Sequence, residues 1–434
     1  MNKKAPIELL SLKSMTWFLF FAIGYRLTLE FSYIKFISPI FEYAGFNNEV
    51  SNIKYIESWL LFIGLTSILK SRLTRPSDFF IALMVFANIT PILVFYAFSN
   101  ASRETIYYIT ICAMLINIFR NVKAIKFPKV NVGQHATIKI LVASVTAVTV
   151  WMIFSGGLQF FNLDLRKVYE TREEVGEIIN QGPMAYLNIW ATKVFGPGLL
   201  TIALWKKRYV YALMVIALHV VWFGISAHKS VLFYPILVVF SWAIFRNTKI
   251  VAFIPIGIAS AIGISILIFT IFENILIGSM VIRRAFFVPA QLTFAYYDFF
   301  SHNPNVWWSE SITATFLKYP YSMPAPEVIG EYMGGDSYAN NSFLSTGYMH
   351  AGVMGVIIYG IIIGLLFRLI DYIANNCFPI WVPISILIVP CYSLLMSADL
   401  PTALLTHGVG MAVFILYLLG NRDVRVRQAA RHDT

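Results

Sequence analysis

A chain of 434 residues ordinarily folds as two or three soluble domains, but this one is 58% hydrophobic, 16% aromatic and only 13% charged, with a mean hydropathy of +0.70. Soluble domains carry about 25% charged residues, and no single aqueous core hides this much apolar surface, so a soluble globular enzyme is excluded first. The net charge of +11 comes from bases scattered between apolar runs, not gathered into a nucleic-acid footprint. Cys112, Cys377 and Cys391 lie in or beside apolar segments, with no CxxC pair or zinc spacing.

A membrane-crossing helix takes about 20 apolar residues. Twelve runs approach that length, at roughly 15–34, 54–69, 78–97, 105–120, 139–158, 184–205, 209–226, 230–245, 250–272, 344–367, 379–397 and 401–420. Helices satisfy their own backbone hydrogen bonds in lipid, and the alternating ten-residue pattern of a barrel is missing. The first run is long and lacks a small-residue cleavage site, so it reads as a span and not a signal. The expected fold is an all-α polytopic membrane protein with about twelve transmembrane helices, forming one membrane domain over 1–434. With the N-terminus inside, the cytoplasmic segments hold 21 of the 33 Lys+Arg and only five acids, Glu8, Asp78, Asp371, Asp423 and Asp433. That bias places both termini in the cytoplasm.

Two long loops, 159–183 and 273–343, then fall on the outer face and carry the densest polar chemistry. The first interleaves Arg166, Lys167 and Arg172 with Asp164, Glu170, Glu173, Glu174 and Glu177. If helical, it sets Arg166, Glu170 and Glu173 on one face. Such a segment is either a solvated amphipathic helix or a phosphate clamp, since guanidinium forks match phosphate oxygens and stay charged. The second loop opens on Arg283–Arg284. Its Tyr296, Tyr297, Trp307 and Trp308 suit either sugar stacking or an interfacial aromatic belt. Pro320–Pro326 cannot be a regular helix, and Gly334-Gly335-Asp336 reads as a turn. Asn340-Asn341-Ser342 then leads into a span carrying His350.

Ionisable residues within spans are costly and mark function or internal pairing. Arg26 and Glu30 are spaced for a salt bridge, Lys193 precedes a kink at Phe195-Gly-Pro-Gly198, Lys229 sits in the tight turn after His228, and Asp399 lies beside another turn. Arg166, Arg172, Lys193, Lys229, Arg283 and Arg284 form an outward set of cations that topology disfavours. Binding an anion anchored in the outer leaflet, such as a lipid pyrophosphate, accounts for them. No Walker A or other nucleotide motif, internal repeat or metal-ligand cluster is evident.

In this arrangement the chain resembles the Wzy-type polysaccharide (O-antigen repeat-unit) polymerases of Gram-negative bacteria. The likeness covers nearly the whole chain as topology. At residue level it rests on Arg166 followed after fifteen residues by Gly182, on the Leu165–Arg172 segment with Tyr169, on His228-Lys229-Ser230, and on Asn340 to Tyr348. Neither Arg283 nor Arg284 has glycine sixteen positions on; those positions are Phe299 and Phe300. The resemblance implies a GT-C-like glycosyltransferase in the bacterial inner membrane with its active face in the periplasm. It would transfer a growing glycan from undecaprenyl pyrophosphate to the non-reducing end of a lipid-linked repeat unit, without metal or cofactor. A separate chain-length regulator protein would be a partner, with membrane lipids and no nucleic acid. Arg166, Arg172, Arg283 and Arg284 would stabilise the leaving group, Lys193 and Lys229 would support them, and Glu170, Glu173, Asp336 or His350 would serve as base. Alternatives are an O-antigen ligase, with lipid A-core as acceptor, and a flippase, for which repeated halves and a midplane polar cluster would be expected.

Overall fold

The computed structural model describes residues 5–123, 133–164, 168–335, 338–375 and 377–420, with side chains from residue 14 onward except 168–173. The longer helices in chain order are α1 (Ala5–Ser32), α2 (Asn52–Ser67), α3 (Pro76–Phe98), α4 (Arg103–Phe119), α5 (Gln134–Phe154), α6 (Val168–Ile179), α7 (Met184–Trp205) and α8 (Tyr209–Ser226). They continue with α9 (Lys229–Phe245), α10 (Phe253–Phe272), α11 (Ile275–His302), α12 (Ala325–Tyr332), α13 (Phe343–Ala374), α14 (Trp381–Met396) and α15 (Leu400–Gly420). Among the described residues there is no strand, only an isolated bridge between Arg72 and Ile250. Eight helices, α3, α5, α7, α8, α10, α11, α13 and α15, are long and apolar enough to cross a membrane, and α9 and α14 are shorter apolar helices. The described residues are thus all-helical, with the long apolar helices expected of a membrane-embedded protein.

Each of the twelve apolar runs falls on a helix. Two features depart from the sequence expectation. The segment 273–343 is not a loop throughout, because α11 occupies its first part with 28 residues. Arg283–Arg284 and Pro289 suggest a break there, yet α11 buries Ile282, Phe286, Phe287 and Ala290 along one side. The run at 344–367 is not one straight span. Ala351 (φ −149°) and Gly352 (φ 56°) leave the helical region inside α13. A Cβ built on Gly355 would come within 1.9 Å of the Gly347 carbonyl oxygen. In an unbroken helix residues eight apart stand roughly 12 Å apart along the axis, so the chain doubles back, and a short arm (343–350) lies against a long one (353–374). Gly355→Ala is expected to cost about 1–3 kcal/mol by overpacking this contact, read as a lower melting temperature of the purified protein; an unchanged melt would contradict the hairpin.

Wide π-type turns recur at Tyr33–Ile37, Met84–Ile89, Ala191–Phe195 and Ser279–Phe287. Each is followed at once by a helix with proline in its first turn: Pro39, Pro91, Pro197 and Pro289. Proline has no N–H for the carbonyl four residues back and its ring crowds that carbonyl. Those carbonyls belong to Lys35, Ala87, Lys193 and Ala285, all inside the widened turns. Such bulges often sit at functional positions, and three of the four carry cations: Lys35, Lys193 and Arg283–Arg284.

The helices form two compact units, one of residues 1–122, 249–368 and 394–400, the other of 123–248, 369–393 and 401–434. In the first unit Arg26, fully buried, pairs with Glu30 at 2.7 Å and donates to Ser58 at 2.8 Å, as the i, i+4 spacing predicts. Gly360 and Gly364 let α13 approach α4 closely: Cβ atoms there would meet Leu115 and Phe119 at 3.0 and 2.6 Å. In the second unit Gly224 accommodates the ring of Phe161, Trp222 donates to Thr149 at 3.0 Å, and Trp151 donates to the Ile179 carbonyl at 2.9 Å. That last bond ties the end of α6 to α5.

Candidate functional site

The second unit holds a cavity of about 290 Å³ whose largely apolar wall carries several polar side chains. Lys193 enters it from the widened turn of α7, where the carbonyl ladder is relaxed ahead of Pro197. Lys193 Nζ lies 2.9 Å from His407 Nδ1 and donates to Ser393 Oγ at 3.1 Å. Because Nδ1 accepts from an ammonium, His407 carries its ring proton on Nε2. His407 is brought there by a tight turn at the start of α15. Gly408 (φ +80°) packs so closely on α7 that a Cβ would meet Val194 at 2.6 Å and Trp190 at 3.1 Å. Trp190 Nε1 clamps the same turn by donating to the Leu405 carbonyl at 2.8 Å.

Polar groups on the rest of the wall come from Asn180 at the end of α6, from Asn188 and Thr192 of α7, and from the α8–α9 turn with Ser226, His228 and Ser230; Met152 of α5, Ile179, Ile189 and Val231 add apolar surface, and Tyr234 of α9 completes it. Asn188 donates to the Ile179 carbonyl at 2.7 Å and to Asn180 Oδ1 at 3.0 Å. No described carboxylate pairs with Lys193, whose hydrogen-bond partners are neutral. The site therefore offers a tethered positive charge, with two N–H groups committed and a third left for a ligand.

The first unit holds a second cluster, centred on Asp399 between α14 and α15. Its Oδ1 accepts from Thr346 and Tyr359 at 2.7 Å each, and its Oδ2 lies 2.9 Å from His350 Nε2. His350 Nδ1 accepts the Trp308 backbone N–H at 3.1 Å, and the Trp308 ring stacks on the imidazole at 4.9 Å. Trp308 Nε1 completes the circuit by donating to Tyr359 at 2.9 Å. Trp307 and Trp308 both have positive φ, 53° and 57°, held by bonds such as Trp307 N–H to the His350 carbonyl. Burial pushes the Asp399 carboxyl up, but bonds from His350, Thr346 and Tyr359 outweigh it and hold the group below the ordinary carboxylate value. The cluster staples the 303–324 segment to the α13 hairpin.

Lys193 lines the cavity, and Lys229 lies half-buried on the turn whose neighbours His228 and Ser230 also line it. Gly182 (φ +54°) opens the turn into α7, with open space where a Cβ would point. Arg166 and Asp336 lie outside the described residues, as do the side chains of Tyr169, Glu170, Arg172 and Glu173. Arg283, Arg284, Asn340, Asn341 and His350 belong to the first unit.

Arg283 lays its guanidinium over Phe41 at 4.6 Å and near Phe46 at 5.8 Å, and Arg284 is exposed. Asn340 is exposed, while Asn341 is buried and donates to Thr293 at 3.0 Å. Both His350 nitrogens and the Asn341 amide donor are engaged within the fold, while the buried Asn341 Oδ1 has no hydrogen-bond partner among the described residues. Trp308 stacks on His350, and Trp307 is exposed. His407, Ser393, Asn188 and Ser226 were not singled out by sequence; a histidine followed by glycine at the mouth of an apolar run was the available signal for the first. Among the described residues no group of three or more His, Cys, Asp or Glu is placed to hold a metal ion. Neither protein-family models nor curated proteins nor solved structures yield a match to this chain.

Proposed function

We propose that this protein is a glycosyltransferase of the bacterial inner membrane that lengthens a lipid-linked glycan at the periplasmic face. In this reading the twelve apolar runs are spans, both termini are cytoplasmic, and the fold is of the GT-C-like type. The acceptor's hydroxyl oxygen bonds to the donor's anomeric carbon as the bond from that carbon to the pyrophosphate oxygen breaks. The hydroxyl proton passes to a base, and undecaprenyl pyrophosphate departs with the bonding electrons. Fixed cations in a partly dry cleft stabilise the charge that develops on it. The observation that carries this reading is Lys193, a cation of an otherwise apolar helix, tethered in a cavity and without a carboxylate partner among the described residues. Arg166 and Arg172 are the further cations proposed to act with it, with Glu170 or Glu173 as base; Arg283, Arg284, Asp336 and His350 are proposed as site residues from the sequence, and a chain-length regulator is the proposed partner.

Deleting the gene in its host and separating the lipopolysaccharide by gel electrophoresis tests the assignment. The expected result is core carrying a single repeat unit. Core with no repeat would instead indicate a ligase or a flippase, and an unaltered long ladder would overturn all three.

A further inference from the structure

The wall of the Lys193 cavity carries two oxygens that none of the described residues satisfies. Ser226 and Asn188 both line it, both are at least nine-tenths buried, and neither Ser226 Oγ nor Asn188 Oδ1 has a hydrogen-bond partner. Buried polar atoms are nearly always paired, and leaving one unpaired costs about as much as a good hydrogen bond is worth. Two such atoms on the wall of one cavity, beside a lysine with a donor to spare, define a ligand by complement. It must bring an anionic oxygen for Lys193, a donor for Asn188 Oδ1, and a further polar group for the Ser226 hydroxyl. A fully deprotonated anion can meet Lys193 and accept from Ser226 but leaves Asn188 Oδ1 without a donor. The volume of about 290 Å³ is at the low end for ligand pockets, enough for one ring with its charged group and not for an oligosaccharide.

We propose that this cavity reads a single acidic sugar unit, Lys193 holding its anionic oxygen while Ser226 and Asn188 select the hydroxyl or amide N–H groups beside it. Ser226 and Asn188 are thus specificity-determining residues. The inference rests on the proposed function for its context, since it names which part of a lipid-linked glycan enters the second unit. The anion can be the phosphate that links the first sugar or a carboxylate on the sugar itself.

The test is calorimetric titration of the purified full-length chain with a hexose 1-phosphate, a hexuronate, inorganic phosphate and a neutral hexose. One of the two acidic sugars is expected to bind at least about tenfold more tightly than phosphate or the neutral hexose, because a site built around polar groups rejects ligands that leave them unpaired. Preference for the hexose 1-phosphate identifies the linking phosphate, and preference for the hexuronate identifies a sugar carboxylate. Ser226→Ala removes an oxygen that none of the described residues uses, so the fold is retained, and it should erase about three- to tenfold of the preference while phosphate binding is unchanged. Equal binding of phosphate and both acidic sugars, no binding of any probe, or a preference untouched by Ser226→Ala would overturn the inference. Selective binding by a protein that makes no polymer would retain the inference and defeat the proposed function; polymer synthesis with unselective binding would do the reverse.

Discussion

Lys193→Met is expected to lower glycan extension by about a hundredfold or more, the range seen when a preorganised charge-stabilising group is removed, with the protein still folded in the membrane. Methionine fills nearly the same length without charge, so packing beside Ser393 and His407 is conserved while the cation is lost. The loss should fall mainly on kcat, because charge develops on the leaving group only as the bond breaks. Lys193→Arg should recover only part of the rate. A planar fork cannot reproduce the two tethers of a compact ammonium, and the widened turn ahead of Pro197 fixes the origin of the side chain. Single-turnover extension of a lipid-linked substrate gives the comparison; a Lys193→Met enzyme with wild-type rates would remove the cation from the mechanism.

Asp399→Ala is expected to cost about 3–5 kcal/mol, as for breaking a buried charged cluster from one side. The change strips His350, Thr346 and Tyr359 of one shared acceptor. The hairpin of α13 and the segment bearing Trp307–Trp308 then lose their common anchor, and Trp308 fluorescence should change together with the melting temperature. The pH dependence has a definite sign. The folded carboxyl is held below its ordinary value, so its contribution is fully present above the unfolded value of about 3.9 and is lost as pH falls through the folded one. The stability gap between wild type and Asp399→Asn should therefore stay constant from about pH 7 to pH 5 and close only in stronger acid. A gap that closed near neutrality would show that Asp399 is not held as an ionised acceptor.

Much of this fold is legible in the residues. Apolar run length marks every span-sized helix except α11, and the spacing of Arg26 and Glu30 gives their ion pair. The prolines mark the widened turns, since loss of an N–H acts locally. The doubling back of α13 is hidden because Ala351 and Gly352 sit inside an unbroken apolar stretch. Its trace is the glycine series Gly347, Gly355, Gly360 and Gly364, whose purpose depends on what packs against them. Helix α11 is hidden because Arg283 and Arg284 suggest a loop, whereas aromatic faces of Phe41 and Phe46 accommodate the Arg283 guanidinium. At the sites, Lys193 stands out as a charge within an apolar run. Its tethers do not, since Ser393 and His407 lie about two hundred positions away and only the fold joins them. Asp399 and His350 lie 49 positions apart, and each looks like an ordinary turn or helix-end residue until the other is placed beside it.

The most direct measurement is synthesis by the purified full-length protein in liposomes supplied with a defined undecaprenyl-pyrophosphate-linked repeat unit. The account predicts a ladder of products that are multiples of the unit, with free undecaprenyl pyrophosphate released at each addition and no ladder from Lys193→Met. A folded wild-type protein that leaves the substrate as single units, or a ladder of equal yield from Lys193→Met, would contradict it.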